Sequence, residues 1–83
     1  MLFYEVIATR TSLGGSPSTD RNYFKVWDNA FNHVQHLREC YEREGSRLCH
    51  ERDETVRPYK LEFMNWKTGV SHTIEVYTCE FAD

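Results

Sequence analysis

Hydrophobic and polar residues alternate with a period of two in four parts of the chain, and this period is typical of β-strands. The first is residues 2–9, LFYEVIAT, and the second is residues 22–27, NYFKVW. The pattern returns in residues 56–66 and 70–81, on either side of the tripeptide 67–69, Lys-Thr-Gly. A short loop with glycine in its third position is typical of a β-hairpin, with the glycine in the left-handed conformation. The alternation therefore predicts four strands.

The segment after Asp28 has the period of an α-helix instead. Asp28 is a residue type favoured at the N-cap, and Gly45 is favoured just beyond a helix end, so we expect a helix over about residues 30–44. On a helical wheel its apolar side chains form a stripe that we expect to face the core. The stripe consists of Ala30, Val34, Leu37 and Tyr41, with Phe31 to one side.

The order of these elements, β-β-α-β-β, predicts an α+β fold with a four-stranded antiparallel sheet and one helix packed on one face. A chain of 83 residues has room for one hydrophobic core, so we expect a single domain over residues 1–83. Residues 11–20, TSLGGSPSTD, have the composition of a flexible loop. Residues 46–55, SRLCHERDET, are predicted to be a charged connector.

One helix covers only one side of a sheet, so the other side faces water or a partner. In the last hairpin, the helix side is predicted to receive Tyr59, Leu61, Phe63, Val70, Ile74 and Val76. The residues predicted for the open side are Phe3, Ile7, Tyr23, Lys60, Glu62, Met64, Trp66, Thr73, Glu75, Tyr77, Cys79 and Phe81. Aromatic residues and Met are enriched in interface cores, but aromatics also stabilise exposed sheets through cross-strand pairing. Both interpretations remain open from the sequence.

Charge argues against nucleic-acid binding. Ten Lys and Arg residues against thirteen Asp and Glu residues give a net charge of −3, whereas nucleic-acid binders gain affinity from a basic surplus. Residues 43–57 alternate acidic and basic side chains. This segment is either a solvated connector or a polar recognition rim in which Arg43, Arg47 and Arg52 contact a partner.

A metal site is the most obvious chemical hypothesis. His33, His36 and Cys40 are spaced so that a helix places them on one side, and imidazole and thiolate both bind zinc. Structural zinc sites, however, usually draw closely spaced ligand pairs from two segments, and no second pair has that spacing here. His33 and Cys40 border the apolar stripe and His36 lies outside it, which favours an ordinary amphipathic helix edge. We therefore expect no metal and no other cofactor.

Catalysis is not indicated either. The chain has no GxSxG motif and no cysteine-protease signature, and a domain this small has little room for a sequestered pocket. We expect that the protein is not an enzyme. Three cysteines without a CxxC pair are typical of reduced thiols in a cytosolic protein.

The remaining class is a small, non-catalytic protein-binding domain. The residues expected to contact its protein partner are Phe3, Tyr23, Met64, Trp66, Tyr77, Arg43, Arg47 and Arg52. The open sheet face also offers a surface for a homodimer. Compact single-helix proteins of this size are common among the inhibitors that phages and mobile elements encode to block larger host complexes. An anti-CRISPR protein is one example of such an inhibitor. The comparison is an analogy of size and fold.

Two alternatives come from other classes. A nucleic-acid-binding module would stack bases on Tyr23, Trp66 and Tyr77. A metal- or thiol-dependent small protein would use His33, His36, Cys40 and Cys49.

The sequence also predicts a location. No apolar run approaches the roughly 20 residues needed to cross a membrane, and residues 1–10, MLFYEVIATR, include no basic leader or cleavage signal. We therefore expect a cytoplasmic protein without membrane association, in a host cell if it is phage-encoded.

Overall fold

A computed structural model describes residues 1–53 and 55–80. These residues form β1 (Leu2–Thr11), β2 (Ser18–Phe24), α1 (Trp27–Arg43), β3 (Arg47–Glu51), β4 (Tyr59–Asn65) and β5 (Val70–Glu80). The predicted connector 46–55 includes Glu54 and the predicted open face includes Phe81, and both of these residues lie outside the described residues.

The sheet is antiparallel throughout, and its strands lie in the order β2-β1-β5-β4-β3. The α+β class, with one helix and an antiparallel sheet, is therefore confirmed, but the prediction of four strands is wrong. The fifth strand, β3, lies inside the predicted connector 46–55 and pairs with β4. Its register shifts between Leu48 and His50, so Cys49 forms a bulge that interrupts the two-residue alternation.

The predicted loop 11–20 is shorter than expected, because β1 continues to Thr11 and β2 begins at Ser18. Polar residues here are held by backbone pairing: Arg10 lies opposite Ser18 on one side and opposite His72 on the other. Hydrophobic periodicity does not detect such pairing, because the hydrogen bonds between the strands are made by backbone groups and not by side chains.

The helix begins at Trp27, three residues before the predicted start, and its N-cap is Val26. Val26 provides no side-chain hydrogen bond, so the prediction of Asp28 as the N-cap is wrong. Asp28 lies in the first turn instead, where a negative charge interacts favourably with the helix dipole.

The helix ends as predicted. Gly45 has a φ of 95°, in the left-handed region that favours glycine. The amide of Gly45 donates to the carbonyl of Glu42, and the amide of Ser46 donates to the carbonyl of Tyr41. This pair of hydrogen bonds is a Schellman motif, which satisfies carbonyls that the helix end would leave without partners.

The core lies between the helix stripe and one side of the sheet. Ala30, Val34 and Tyr41 are buried, and Phe31 and Leu37 pack against them, so the predicted stripe is confirmed. The strands contribute alternate residues to the same core: Val6, Tyr59, Leu61, Phe63, Ile74 and Val76. Burying an aliphatic or aromatic side chain of this kind contributes roughly 1.5–3 kcal/mol. The residues between them point to the side without a helix.

Candidate functional site

The open face of the sheet carries a row of three side chains across β2, β1 and β5. Glu5 lies in the middle, opposite Tyr23 on one strand and opposite Tyr77 on the other. The next pair along the strands places Phe3 opposite Cys79. Three of the predicted partner-binding residues, Phe3, Tyr23 and Tyr77, therefore lie together at one end of this face.

An apolar groove opens beside this row. It has a volume of about 330 Å³ and is lined by Met1, Phe3, Tyr23, Phe24 and Lys25, which we call the aromatic groove. The ring centroids of Phe3 and Tyr23 are 5.8 Å apart, within the range of favourable aromatic pairs. Tyr23 remains 60 % exposed and Met1 55 % exposed. The groove is thus an exposed, continuous apolar surface at the start of β1 and the end of β2.

The two tyrosines of the row are oriented by carboxylates. The hydroxyl of Tyr77 donates to Glu75 Oε2 over 2.7 Å, and this hydrogen bond raises the pKa of Tyr77. The pKa of Tyr23 is also raised, chiefly by its hydrogen bond to Glu5. In both cases the neighbouring carboxylate disfavours the phenolate. The hydroxyls therefore stay protonated at neutral pH and point toward acidic side chains.

Two ion pairs lie on this face. Arg21 Nη1 lies 3.3 Å from Glu5 Oε2, and Lys60 Nζ lies 3.2 Å from Glu62 Oε1. Surface ion pairs of this kind contribute little to stability. Their consequence here is local neutralisation, so the aromatic groove is not surrounded by a field of one sign.

Met64 and Trp66 do not join the aromatic groove. Met64 lies near the other end of the open face, opposite Ser71 and Arg47. Trp66 lies just beyond the end of β4, in the turn that follows, and not within the strand as predicted. Its side chain is 75 % exposed. The predicted set of five apolar contact residues is therefore divided between distant places.

Trp66 lines a second depression, which we call the terminal groove because it lies at the C-terminal end of α1. It has a volume of about 610 Å³, and its charged and aromatic walls are Glu42, Glu44, Arg47, Trp66 and Lys67. Carboxylates and cations of both signs thus surround one exposed indole. This arrangement differs from the aromatic groove, whose lining is apolar.

Asn65 holds the floor of the terminal groove in place. Its Nδ2 donates to the carbonyl of Glu44 over 3.0 Å, so it satisfies a carbonyl at the helix end. Its Oδ1 accepts from the amides of Lys67 at 3.0 Å and Thr68 at 3.3 Å. One side chain therefore ties the end of α1 to the β4–β5 turn. Beside it, Ser46 Oγ is buried and has no hydrogen-bond partner among the described residues.

A buried histidine lies next to this groove and was missed by sequence reasoning. The ring of His72 stacks on Tyr41 at a centroid distance of 3.8 Å, and its Nε2 is 3.3 Å from Glu44 Oε2. This contact is an ion pair only when the imidazole is protonated. Burial lowers the pKa of His72 and outweighs the opposing effect of Glu44. The two-residue alternation of β5 places His72 on the helix side with Ile74, and this signal could have found it.

The three predicted arginines do not form one rim. Arg47 lies in β3 and lines the terminal groove, and Arg43 is exposed in the last turn of α1. Arg52 is partly buried and has a structural position. Its amide donates to the carbonyl of Lys60 at 2.9 Å, and its guanidinium donates to the carbonyl of Pro58 at 3.5 Å. The structure thus brings only Arg47 beside Trp66.

The predicted metal residues are divided in a similar way. The ring of His33 packs against Phe24 at a centroid distance of 5.3 Å, and its Nε2 lies 3.4 Å from Asn22 Nδ2. Burial lowers the pKa of His33. His36 and Cys40 do meet, with 3.8 Å between Nε2 and Sγ. Within residues 1–53 and 55–80, no group of three or more His, Cys, Asp or Glu side chains is arranged to hold a metal ion.

Comparisons of the chain with protein-family models, with curated proteins and with solved structures give no match. The part of the chain that the structure describes contains no helix long and apolar enough to cross a membrane.

Proposed function

We propose that this protein is a small, non-catalytic protein-binding domain whose main contact surface is the aromatic groove. The terminal groove, with Trp66 and Arg47, provides a second contact. The observation that supports this function most directly is the pairing of the exposed Tyr23 with the partly buried Phe3 on an apolar groove of about 330 Å³.

The aromatic groove has the properties of an interface core. Tyr, Trp and Arg dominate the binding energy of protein interfaces, and they act best when a partner excludes water from them. Tyr23 and Met1 are both more than half exposed without a partner. Glu5, which lies opposite Tyr23, is already paired with Arg21, so this carboxylate is compensated when a partner covers the groove. The groove lining itself includes one lysine, Lys25.

The structure supports a nucleic-acid platform less well. Glu5 lies between Tyr23 and Tyr77, and the hydroxyl of Tyr77 is bonded to a second carboxylate, Glu75. Bases stacked on these rings would bring phosphates close to acidic groups, against electrostatic attraction. Trp66 lies beyond the end of β4 and does not extend the row.

A narrower form of the hypothesis follows from size and fold alone. In that form the protein is an inhibitor encoded by a phage or mobile element, and its partner is a larger complex in the cytoplasm of a host cell. The homodimer through the open sheet face is a variant in which a second copy of the chain covers the aromatic groove.

The test compares Tyr23→Ala and Phe3→Ala with Val56→Ala, which removes another exposed hydrophobic side chain outside both grooves. Each immobilised variant is incubated with bacterial lysate, and captured proteins are quantified by mass spectrometry. We expect the captured amount of one set of proteins to fall by more than about 10-fold for both groove variants and to be unchanged for Val56→Ala.

Equal capture by all variants would contradict the proposed role of the groove. Sedimentation over a range of protein concentrations tests the homodimer, which the groove variants should abolish. Binding to single-stranded DNA or RNA that weakens steeply with salt would favour the nucleic-acid alternative.

A further inference from the structure

His36 and Cys40 form a two-residue contact on the outer surface of α1. They are separated by one helical turn, which brings residues four apart side by side. His36 is exposed, and Cys40 is half-buried and carries a free thiol. The distance between His36 Nε2 and Cys40 Sγ is 3.8 Å. The pair contributes nothing to the core and is not used by the proposed partner-binding grooves.

The separation of these two atoms suits one metal ion. In a tetrahedral zinc site, sulfur lies about 2.3 Å and nitrogen about 2.0–2.1 Å from the metal, so the two ligand atoms are roughly 3.6 Å apart. The observed 3.8 Å differs from this value by only a few tenths of an ångström. The two atoms therefore already lie at nearly the separation that one tetrahedral ion requires.

The local charge also favours a cation. Cys40 lies in the last turns of α1, and the C-terminal end of a helix carries a partial negative charge. Each Cys40 thiol would lose its proton on binding, so the bound pair brings one thiolate charge to the metal.

One chain cannot complete this site within its described residues. His33 is the nearest additional ligand by spacing, but its ring is held by Phe24 and Asn22. No third His, Cys, Asp or Glu among residues 1–53 and 55–80 completes a metal-binding group. Two positions of a tetrahedral ion therefore remain for ligands from elsewhere.

A second copy of the chain carries the same His36–Cys40 pair. In an isologous dimer the same patch of both copies meets, so two His36–Cys40 pairs give the Cys₂His₂ set typical of structural zinc. The pair lies on the side of α1 that carries His33, next to β2, and β2 is an end strand of the sheet. We infer that His36 and Cys40 form half of a zinc site and that two copies of the protein complete it as a zinc-bridged dimer.

The test uses the reduced 83-residue chain and added zinc or cobalt. In chelator we expect the monomer mass by sedimentation, and with zinc a dimer that holds one ion per two chains and releases two protons per ion. Cobalt should give a thiolate-to-cobalt charge-transfer band and the visible bands of a tetrahedral site. Cys40→Ala and His36→Ala should each weaken cobalt binding by more than about 100-fold, as expected for direct ligands. Substituting a residue that only hydrogen-bonds to a metal ligand usually weakens metal binding by about 10–100-fold.

Cys49→Ala and His50→Ala are the matched controls, since both residues are exposed and lie outside α1. They should leave the zinc-dependent dimer intact. All four variants should keep the wild-type circular dichroism spectrum, because none of the side chains is part of the core. A chain whose mass does not increase on addition of zinc, one zinc per chain without zinc-dependent dimerisation, or a zinc-dependent dimer that survives Cys40→Ala would each overturn the inference.

Discussion

The two faces of the sheet are built from alternate residues of the same strands, yet their surroundings differ sharply. In β4, Leu61 and Phe63 are almost completely buried under α1, whereas their neighbours Glu62 and Met64 point to the uncovered side and are partly exposed. The covered face removes apolar surface from water and determines stability. The open face contributes less to folding, so its side chains are available for contacts with other molecules.

The largest expected effect separates these faces directly. Phe63→Ala should destabilise the protein by about 3–5 kcal/mol, because it leaves a cavity between α1 and the sheet. A domain of this length has a total stability of only about 4–12 kcal/mol, so much of it would be lost. Urea unfolding followed by circular dichroism measures the change.

Met64→Ala is the matched control on the open side of the same strand. We expect a loss of less than about 1 kcal/mol, as for other surface substitutions. Similar losses for Phe63→Ala and Met64→Ala would show that the two faces do not differ in the way described.

The alternation of residues was sufficient to predict this division of the sheet. It placed Tyr59, Leu61 and Phe63 on the helix side, and the helical period selected the stripe that packs on them. It missed β3, because this edge strand packs only Leu48 against the core and its bulge at Cys49 breaks the two-residue period. An edge strand is held mainly by backbone pairing, which leaves little trace in the pattern of side chains.

Asn65 gives the second-largest expected effect, at the boundary between the two faces. Asn65→Ala removes the hydrogen bond that Nδ2 donates to the Glu44 carbonyl. It also removes the two hydrogen bonds that Oδ1 accepts from backbone amides. Leaving such partly buried groups without partners should cost about 1–3 kcal/mol in unfolding free energy. Thermal and urea unfolding should detect it, whereas Asn32→Ala, on the exposed side of α1, should cause no loss.

Lowering the pH should destabilise the fold, because His72 on the covered face is buried. The pKa of His72 is lowered by burial, with a smaller contribution from Arg10 and an opposing one from Glu44. The unfolded chain therefore binds a proton more readily than the folded one. The stabilisation is complete above the unfolded pKa of about 6.5 and is lost as pH falls through the lower folded pKa.

Urea midpoints between about pH 7.5 and 5.5 test this effect, because carboxylates titrate mainly below that range. As the pH decreases, the urea midpoint should decrease in the wild type and decrease less in His72→Gln. His33 also has a lowered pKa and accounts for the remaining slope in that variant. A midpoint that rises as the pH falls would contradict the direction of both shifts.

The smallest expected effect is on the open face. Arg21→Ala removes the ion pair with Glu5, in which the Arg21 side chain is exposed. This change should alter the unfolding free energy by less than about 1 kcal/mol. The same change leaves Glu5 without its cation beside the aromatic groove. We therefore expect partner binding to change more than stability, and parallel unfolding and capture measurements compare the two.

The site was less predictable than the fold. The sequence identified Phe3, Tyr23 and Tyr77 as residues of the open face, but it grouped them with Met64 and Trp66. Their separation depends on strand order and on the end of β4 at Asn65, and neither follows from periodicity. The terminal groove was also hidden, because α1, β3 and the β4–β5 turn meet there only after folding.

The most direct measurement of partner binding is photo-crosslinking from position 23. A benzoylphenylalanine side chain replaces Tyr23 in one protein and Val56 in another, and both are irradiated in bacterial lysate. We expect one specific protein, or a second copy of this chain, to be crosslinked from position 23 and not from position 56. Crosslinks of equal yield to the same proteins from both positions, or no crosslink from position 23, would contradict partner binding at the aromatic groove.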